Sequence, residues 1–235
     1  MPPPISQSRC QPRSPPPISA QSRNGDEWGG CSSDNNVNPS YFAPAWYEVF
    51  ASFDPAPIWG KAVERAYGIL VDRQMFAHGY LLPTNWCTCD GKAGGGGSGT
   101  TPGEYGYEAC RATFRVSLDL AWHGRERAKA DIVGRQLPFF NEQIGPKSDF
   151  SRINGPYRAS DGKLVPNGDG ELCFQAMAAT AYVHDTDPGR KARAWQQLVG
   201  ALEKGIGNHR YFCSSLGMLA ALFVTGNMPD PRNLP

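Results

Sequence analysis

The 235-residue chain has little charge of either sign in excess: 23 Lys and Arg stand against 22 Asp and Glu, a formal net charge of +1. That balance leaves no basic footprint for nucleic acid or for an acidic membrane surface, so neither is expected as a partner. Long apolar runs are absent too. With no stretch of about 18 apolar residues, nothing in the sequence reads as a membrane span, and the start lacks the apolar core of a signal peptide. Histidine is sparse, with four residues scattered at 78, 123, 184 and 209. Beside them, the lone Cys87-Thr88-Cys89 step is weak grounds for a metal site, and no metal or other cofactor is expected. No run of alternating residues suggests a series of strands, and no fixed period suggests a repeat array.

Cysteine is present in an awkward number, seven. Cys110 and Cys173 fall inside apolar helical segments and read as buried thiols, whereas Cys31 with either Cys87 or Cys89 would suit a loop disulfide in an exported protein. Residues 2–23 hold a near-duplicate, PPPISQSR and PPPISAQSR. Its composition cannot bury enough surface to fold, so residues 1–25 are read as a disordered Pro/Ser/Arg-rich leader.

The remaining chain, with 40% hydrophobic residues, is long enough for one sizeable core. Apolar spacing predicts about seven helices. The first follows a cap at Asn38 or Ser40 and carries Phe42, Trp46, Val49, Phe50 and Phe53; the second spans about 58–75. Others are expected over about 107–122, 125–142, 170–184, 189–204 and 208–225. The segments 171–182 and 211–224 are apolar nearly all round, whereas 125–142 and 190–204 are two-faced. Such alternation predicts an all-α fold with inner and outer helices in a double ring, and a ligand site at the loops before the inner helices. Residues 90–104 hold a GKAGGGGSGTTPG tract, read as a flexible loop within this domain because no phosphate-binding context surrounds it.

The stretch YGYEACRATFRVSLDLAW, residues 105–122, carries the most chemical information. It sets Tyr107, Glu108 and Arg111 at the head of an apolar helix, a polar cluster aimed at a ligand or, alternatively, an i, i+3 ion pair on a solvated face. Asp119, farther along that helix, is expected to pair with Arg115. Six Trp and nine Tyr suit a flat, hydroxyl-rich ligand such as a sugar as well as they suit a core.

Four blocks, WGG with NPSYFAPAWYEVF, LLPTNWC, YGYEACRATFRVSLDLAWHG and YFCSSLGMLAALFVTGNMP, together resemble glycoside hydrolase family 8 over residues 26–231. The resemblance implies an (α/α)6 barrel and inverting hydrolysis of a β-1,4-linked glycan, cellulose-like glucan in the first instance. It implies a monomer, acting on a β-linked poly- or oligosaccharide, that is secreted or periplasmic. The family's YDxxR motif falls on Tyr107, Glu108 and Arg111, with Glu in place of the usual Asp at the position of the catalytic base. Trp28 and Tyr41 match aromatic positions that bind sugar. Tyr211 and Trp86 are further substrate-binding candidates, with core packing as the alternative. The family's general acid belongs to an SEGQ-like motif ahead of the WGG block, and residues 1–25 contain no Glu. The expectation is therefore the C-terminal part of the domain, an incomplete barrel whose hydrolysis is impaired. A glycan-binding remnant without catalysis, or a truncated gene product, is the alternative.

Overall fold

A computed structural model describes residues 37–72, 82–88, 91–94, 101, 103–166, 172–205 and 211–234. The leader, Trp28, Cys31, Cys89 and most of the Gly-rich tract lie outside them. Asn38 caps a short 3-10 turn, Pro39–Tyr41, through a hydrogen bond accepted from the Ser40 amide. Helix α1 (Pro44–Phe53) therefore starts later than the Asn38 or Ser40 cap implies, on a proline whose missing N–H costs nothing at a first turn. Its Val49 is buried, whereas Phe50 is largely exposed and Phe53 is 79% exposed. The two-faced helix α2 (Ile58–Tyr67) packs back on α1 and continues into a π-helical turn, Gly68–Asp72.

Helix α3 (Cys110–His123) buries nearly its whole first three turns and ends on Gly124, whose φ of 59° is the left-handed conformation that favours glycine at a helix end. The next helical stretch is interrupted: α4 (Glu126–Asp131) passes through a π-helical segment, Ile132–Gln136, into α5 (Leu137–Ile144). Two-residue strands β1 (Glu104–Tyr105) and β2 (Tyr157–Arg158) pair antiparallel and tie the turn before α3 to the loop before α6 (Leu172–Tyr182). In α6 every residue except Gln175 is buried. The two-faced α7 (Pro188–Gly205) packs on α6, and α8 (Tyr211–Val224) packs on both.

The order of packing makes the architecture. Helices α1, α3, α6 and α8 lie side by side as an inner layer, and α2, the α4–α5 stretch and α7 back them from outside. This is the alternation of inner and outer helices of an (α/α)6 barrel, seven helical stretches among the described residues. Helix α8 departs from the expected all-round burial. Cys213, Leu216, Gly217, Ala220 and Phe223 face the core, whereas Tyr211, Met218, Leu219 and Leu222 lie on an exposed stripe. Among the described residues, the chief neighbours of α8 are α6 and α7, which pack on its other faces.

Two sequence expectations are corrected here. Cys173 is not a thiol: it bonds Cys213, joining inner helices α6 and α8 across 40 residues of chain. Cys110 is the buried thiol expected, and burial pushes it up to about 12. Asp119 does not pair with Arg115. Its carboxylate accepts from Arg125 Nε at 2.9 Å and from the Tyr67 hydroxyl, because the αL turn at Gly124 brings Arg125 back over the end of α3. Among the described residues, no helix is long and apolar enough to cross a membrane.

Candidate active site

The ends of α1, α3 and α8 that begin each helix meet around Glu108. Its position starts with Asn85, in the LLPTNWC block. Asn85 Oδ1 accepts from the backbone amides of Gly106 and Ala109 at 3.1 and 3.0 Å, and its Nδ2 donates to the Thr101 carbonyl. These bonds supply acceptors for amides at the start of α3 that no helical carbonyl can reach. A Cβ on Gly106 would stand 2.5 Å from the Asn85 amide, so glycine is required there by close approach. Asn85→Ala is expected to lower stability by about 1–3 kcal/mol, read from urea unfolding, because it leaves two buried amides without an acceptor.

Glu108 occupies the turn just before Cys110, not the helix proper. Its carboxylate accepts from Asn38 Nδ2, 70 residues away in sequence, and the buried Trp86 side chain lies near enough to favour its ionised form. Asn38 is wholly buried, and its Oδ1 is fixed by the Ser40 amide at 3.0 Å and the Ser40 hydroxyl at 2.6 Å. The amide can therefore present only its N–H end to Glu108. Backbone hydrogen bonds between Val37 and Cys87, 2.8 and 2.9 Å, hold the two segments that carry Asn38 and Trp86 together. Burial raises the Glu108 carboxyl above its ordinary range, against the opposing pull of Arg111, Asn38 and Trp86.

The other candidates are placed as follows. Arg111 Nε donates to the Glu108 backbone carbonyl at 3.2 Å, and its guanidinium lies over Tyr41 at 5.4 Å and Phe212 at 5.7 Å from the ring centroids. Helix α3 thus carries a cation braced by aromatics from the start of α1 and the start of α8. Tyr107 turns its ring onto Phe174 of α6, centroids 5.1 Å apart. Trp86 is 6% exposed, so it is both packed and in reach of the carboxylate. Tyr211 is not core: it is 86% exposed at the start of α8, beside the ring that contacts Arg111. Trp28 lies outside the described residues. Asn38 and Asn85 were not among the sequence candidates, although the NPS and TNW steps that contain them are turn-forming signals. Among the described residues, no group of three His, Cys, Asp or Glu could hold a metal ion.

Comparison with known proteins shows the family. The description Glycosyl hydrolases family 8 matches residues 21–226. Endoglucanase A of Acetivibrio thermocellus is 31% identical over 207 residues, covering 88% of this chain and 40% of that protein. Endoglucanase C of Ruminiclostridium cellulolyticum is 32% identical over 206 residues, covering 88% and 41%. The solved structure of a cold-adapted family 8 xylanase superposes with a TM-score of 0.68 at 25% identity, covering 86% of this chain and 52% of that one. The chain spans about two-fifths of the length of these two endoglucanases and about half of the xylanase. With the match running through every block that builds the Glu108 site, the chain belongs to glycosyl hydrolase family 8.

Proposed function

We propose that Glu108 is the catalytic base of an inverting glycoside hydrolase site that acts on a β-1,4-linked glucan. The observation that carries this reading is the hydrogen-bonded, half-buried Glu108 carboxylate between Asn38 and Trp86 at the head of α3. In such a reaction the base takes a proton from water as the water oxygen attacks the anomeric carbon, and a second carboxyl gives a proton to the departing glycosidic oxygen. Burial makes Glu108 a stronger base, and the Asn38 N–H with Arg111 favours its ionised form and aims it. Tyr107 and Arg111 are positioning residues in this reading. Tyr41 and Tyr211 offer exposed aromatic surface to sugar rings, and Trp28 and Trp86 are kept as substrate-binding positions on the family resemblance. The two endoglucanases favour glucan, and the xylanase keeps xylan as a competing substrate in the test.

The proton donor is the second requirement. Arg111 is the charged group that acts on Glu108 among the described residues, and no carboxylate joins it. We assign the donor to a part of the family's ring outside the described residues. A buried disulfide favours a secreted or periplasmic setting, since such bonds persist in oxidising compartments.

The test is release of reducing ends from carboxymethylcellulose, lichenan, chitosan and xylan, beside release of fluoride from β-cellobiosyl fluoride, whose leaving group needs little protonation. The chain alone is expected to hydrolyse the fluoride and to be slower on polysaccharide by about 10²- to 10⁴-fold, the usual worth of an acid–base group. No hydrolysis of any of the five would overturn the reading. In kcat/KM for the fluoride, activity is expected to rise with pH through an acidic limb above the ordinary glutamate range, because the raised carboxyl must lose its proton to act. A limb at the ordinary value would contradict the assigned base.

A further inference from the structure

The outer layer holds a wholly buried carboxyl, Asp131, independent of the proposed hydrolysis. The π-helical segment Ile132–Gln136 follows Asp131, and π geometry brings residues five apart into line. Asp131 and Gln136 have that spacing, and both are wholly buried. Gln136 Nε2 donates to Asp131 Oδ2 at 3.2 Å. The remaining oxygens of the same two groups, Asp131 Oδ1 and Gln136 Oε1, are sealed from solvent and have no hydrogen-bond partner. An ionised aspartate cannot relieve this, because a carboxylate and an amide oxygen both only accept. Turning the Gln136 amide over would set acceptor against acceptor, which needs a proton still more.

We infer that Asp131 is held as a neutral acid whose Oδ1–H donates to Gln136 Oε1, closing a two-bond ring that locks the π segment and forms a pH-sensitive latch under β1. One proton from solvent satisfies both orphaned oxygens. When it returns to solvent, a carboxylate is left buried against the Gln136 oxygen. The groups that face the pair are Arg135 from the segment itself, Tyr67 from α2 and Tyr105 from β1, with Asp119 and Arg125 beyond the Tyr67 hydroxyl. Arg135 is the cation that favours ionisation, and burial outweighs it, pushing the Asp131 carboxyl up to about 7. Tyr105 lies three residues before Glu108, so the latch sits beneath the strand that delivers the site turn.

The sign follows from proton binding. Between the ordinary aspartate range and about pH 7 the folded chain holds one proton more than the unfolded chain. The folding constant therefore falls about tenfold per pH unit over that window, about a thousandfold in all, and is level above it. Asp131→Asn supplies a permanent N–H to Gln136 Oε1 and closes the same ring without a titrating proton. In urea unfolding from about pH 4 to pH 8, the stability of Asp131→Asn relative to wild type is expected to rise about a thousandfold. Infrared difference spectra of the wild type are expected to show a protonated-carboxyl C=O band at about pH 5.5 that is lost by about pH 8 and is missing from the variant. Parallel pH profiles for the two proteins, or a wild type without that band, would overturn the inference. If the variant folds at no pH, the band of a Glu104→Gln/Glu108→Gln variant, which lacks the other raised carboxyls, decides.

Discussion

Glu108→Gln is expected to lower hydrolysis of β-cellobiosyl fluoride by about 10²- to 10⁴-fold in kcat, with KM little changed. Glutamine keeps the length and hydrogen-bonding shape of glutamate, so the turn held by Asn85 and the packing of α3 should survive; what is lost is the ability to take a proton from water. The amide would also meet the Asn38 N–H, whose direction is set by Ser40 on the other end of the same side chain. It can answer with its oxygen, so folding is not at risk. Measured by fluoride release, with circular dichroism confirming the fold, an unchanged kcat would remove Glu108 from the chemistry.

Reducing the Cys173–Cys213 bond is expected to cost up to about 4 kcal/mol of stability, the chain-entropy value for a closed loop of this length. The loop it closes holds all of α7 and most of α6, so the denatured chain gains freedom across two helices when the bond opens. The effect should reach the site as well. Phe174 follows Cys173 and packs on Tyr107, while Phe212 precedes Cys213 and faces Arg111. Urea unfolding with and without reductant, and of a Cys173→Ala/Cys213→Ala double variant, reads the effect directly. Equal midpoints and slopes in all three would show that packing between α6 and α8 suffices alone.

Helix identity was legible in the chain because it rests on local spacing. The all-round apolar pattern at 172–182 and the two-faced pattern at 190–204 correspond to an inner helix and its outer partner. What spacing could not foresee was long-range. Asn38 reads as a cap and does cap, yet its amide nitrogen goes to a residue 70 positions away, a contact no local pattern encodes. Cys173 looked like any small buried residue until α8 brought Cys213 beside it. Asp119 was assigned a partner one helical turn back, whereas the reversal at Gly124 supplied Arg125. Tyr211 is a case in which the sequence left two readings open. An apolar segment kept core packing open as the alternative to substrate binding, and exposure at the start of α8 removes that alternative. The candidate base was legible because Tyr107, Glu108 and Arg111 are close neighbours in sequence at the head of one helix.

A catalytic base at Glu108 must direct water to the face opposite the leaving group. Proton NMR of β-cellobiosyl fluoride hydrolysis, read within the first turnovers, resolves the anomer released before mutarotation. The expected first product of the wild-type chain is α-cellobiose, released about 10²- to 10⁴-fold more slowly by Glu108→Gln; β-cellobiose as the first product, or α-cellobiose at an equal rate from the variant, would contradict a base at Glu108.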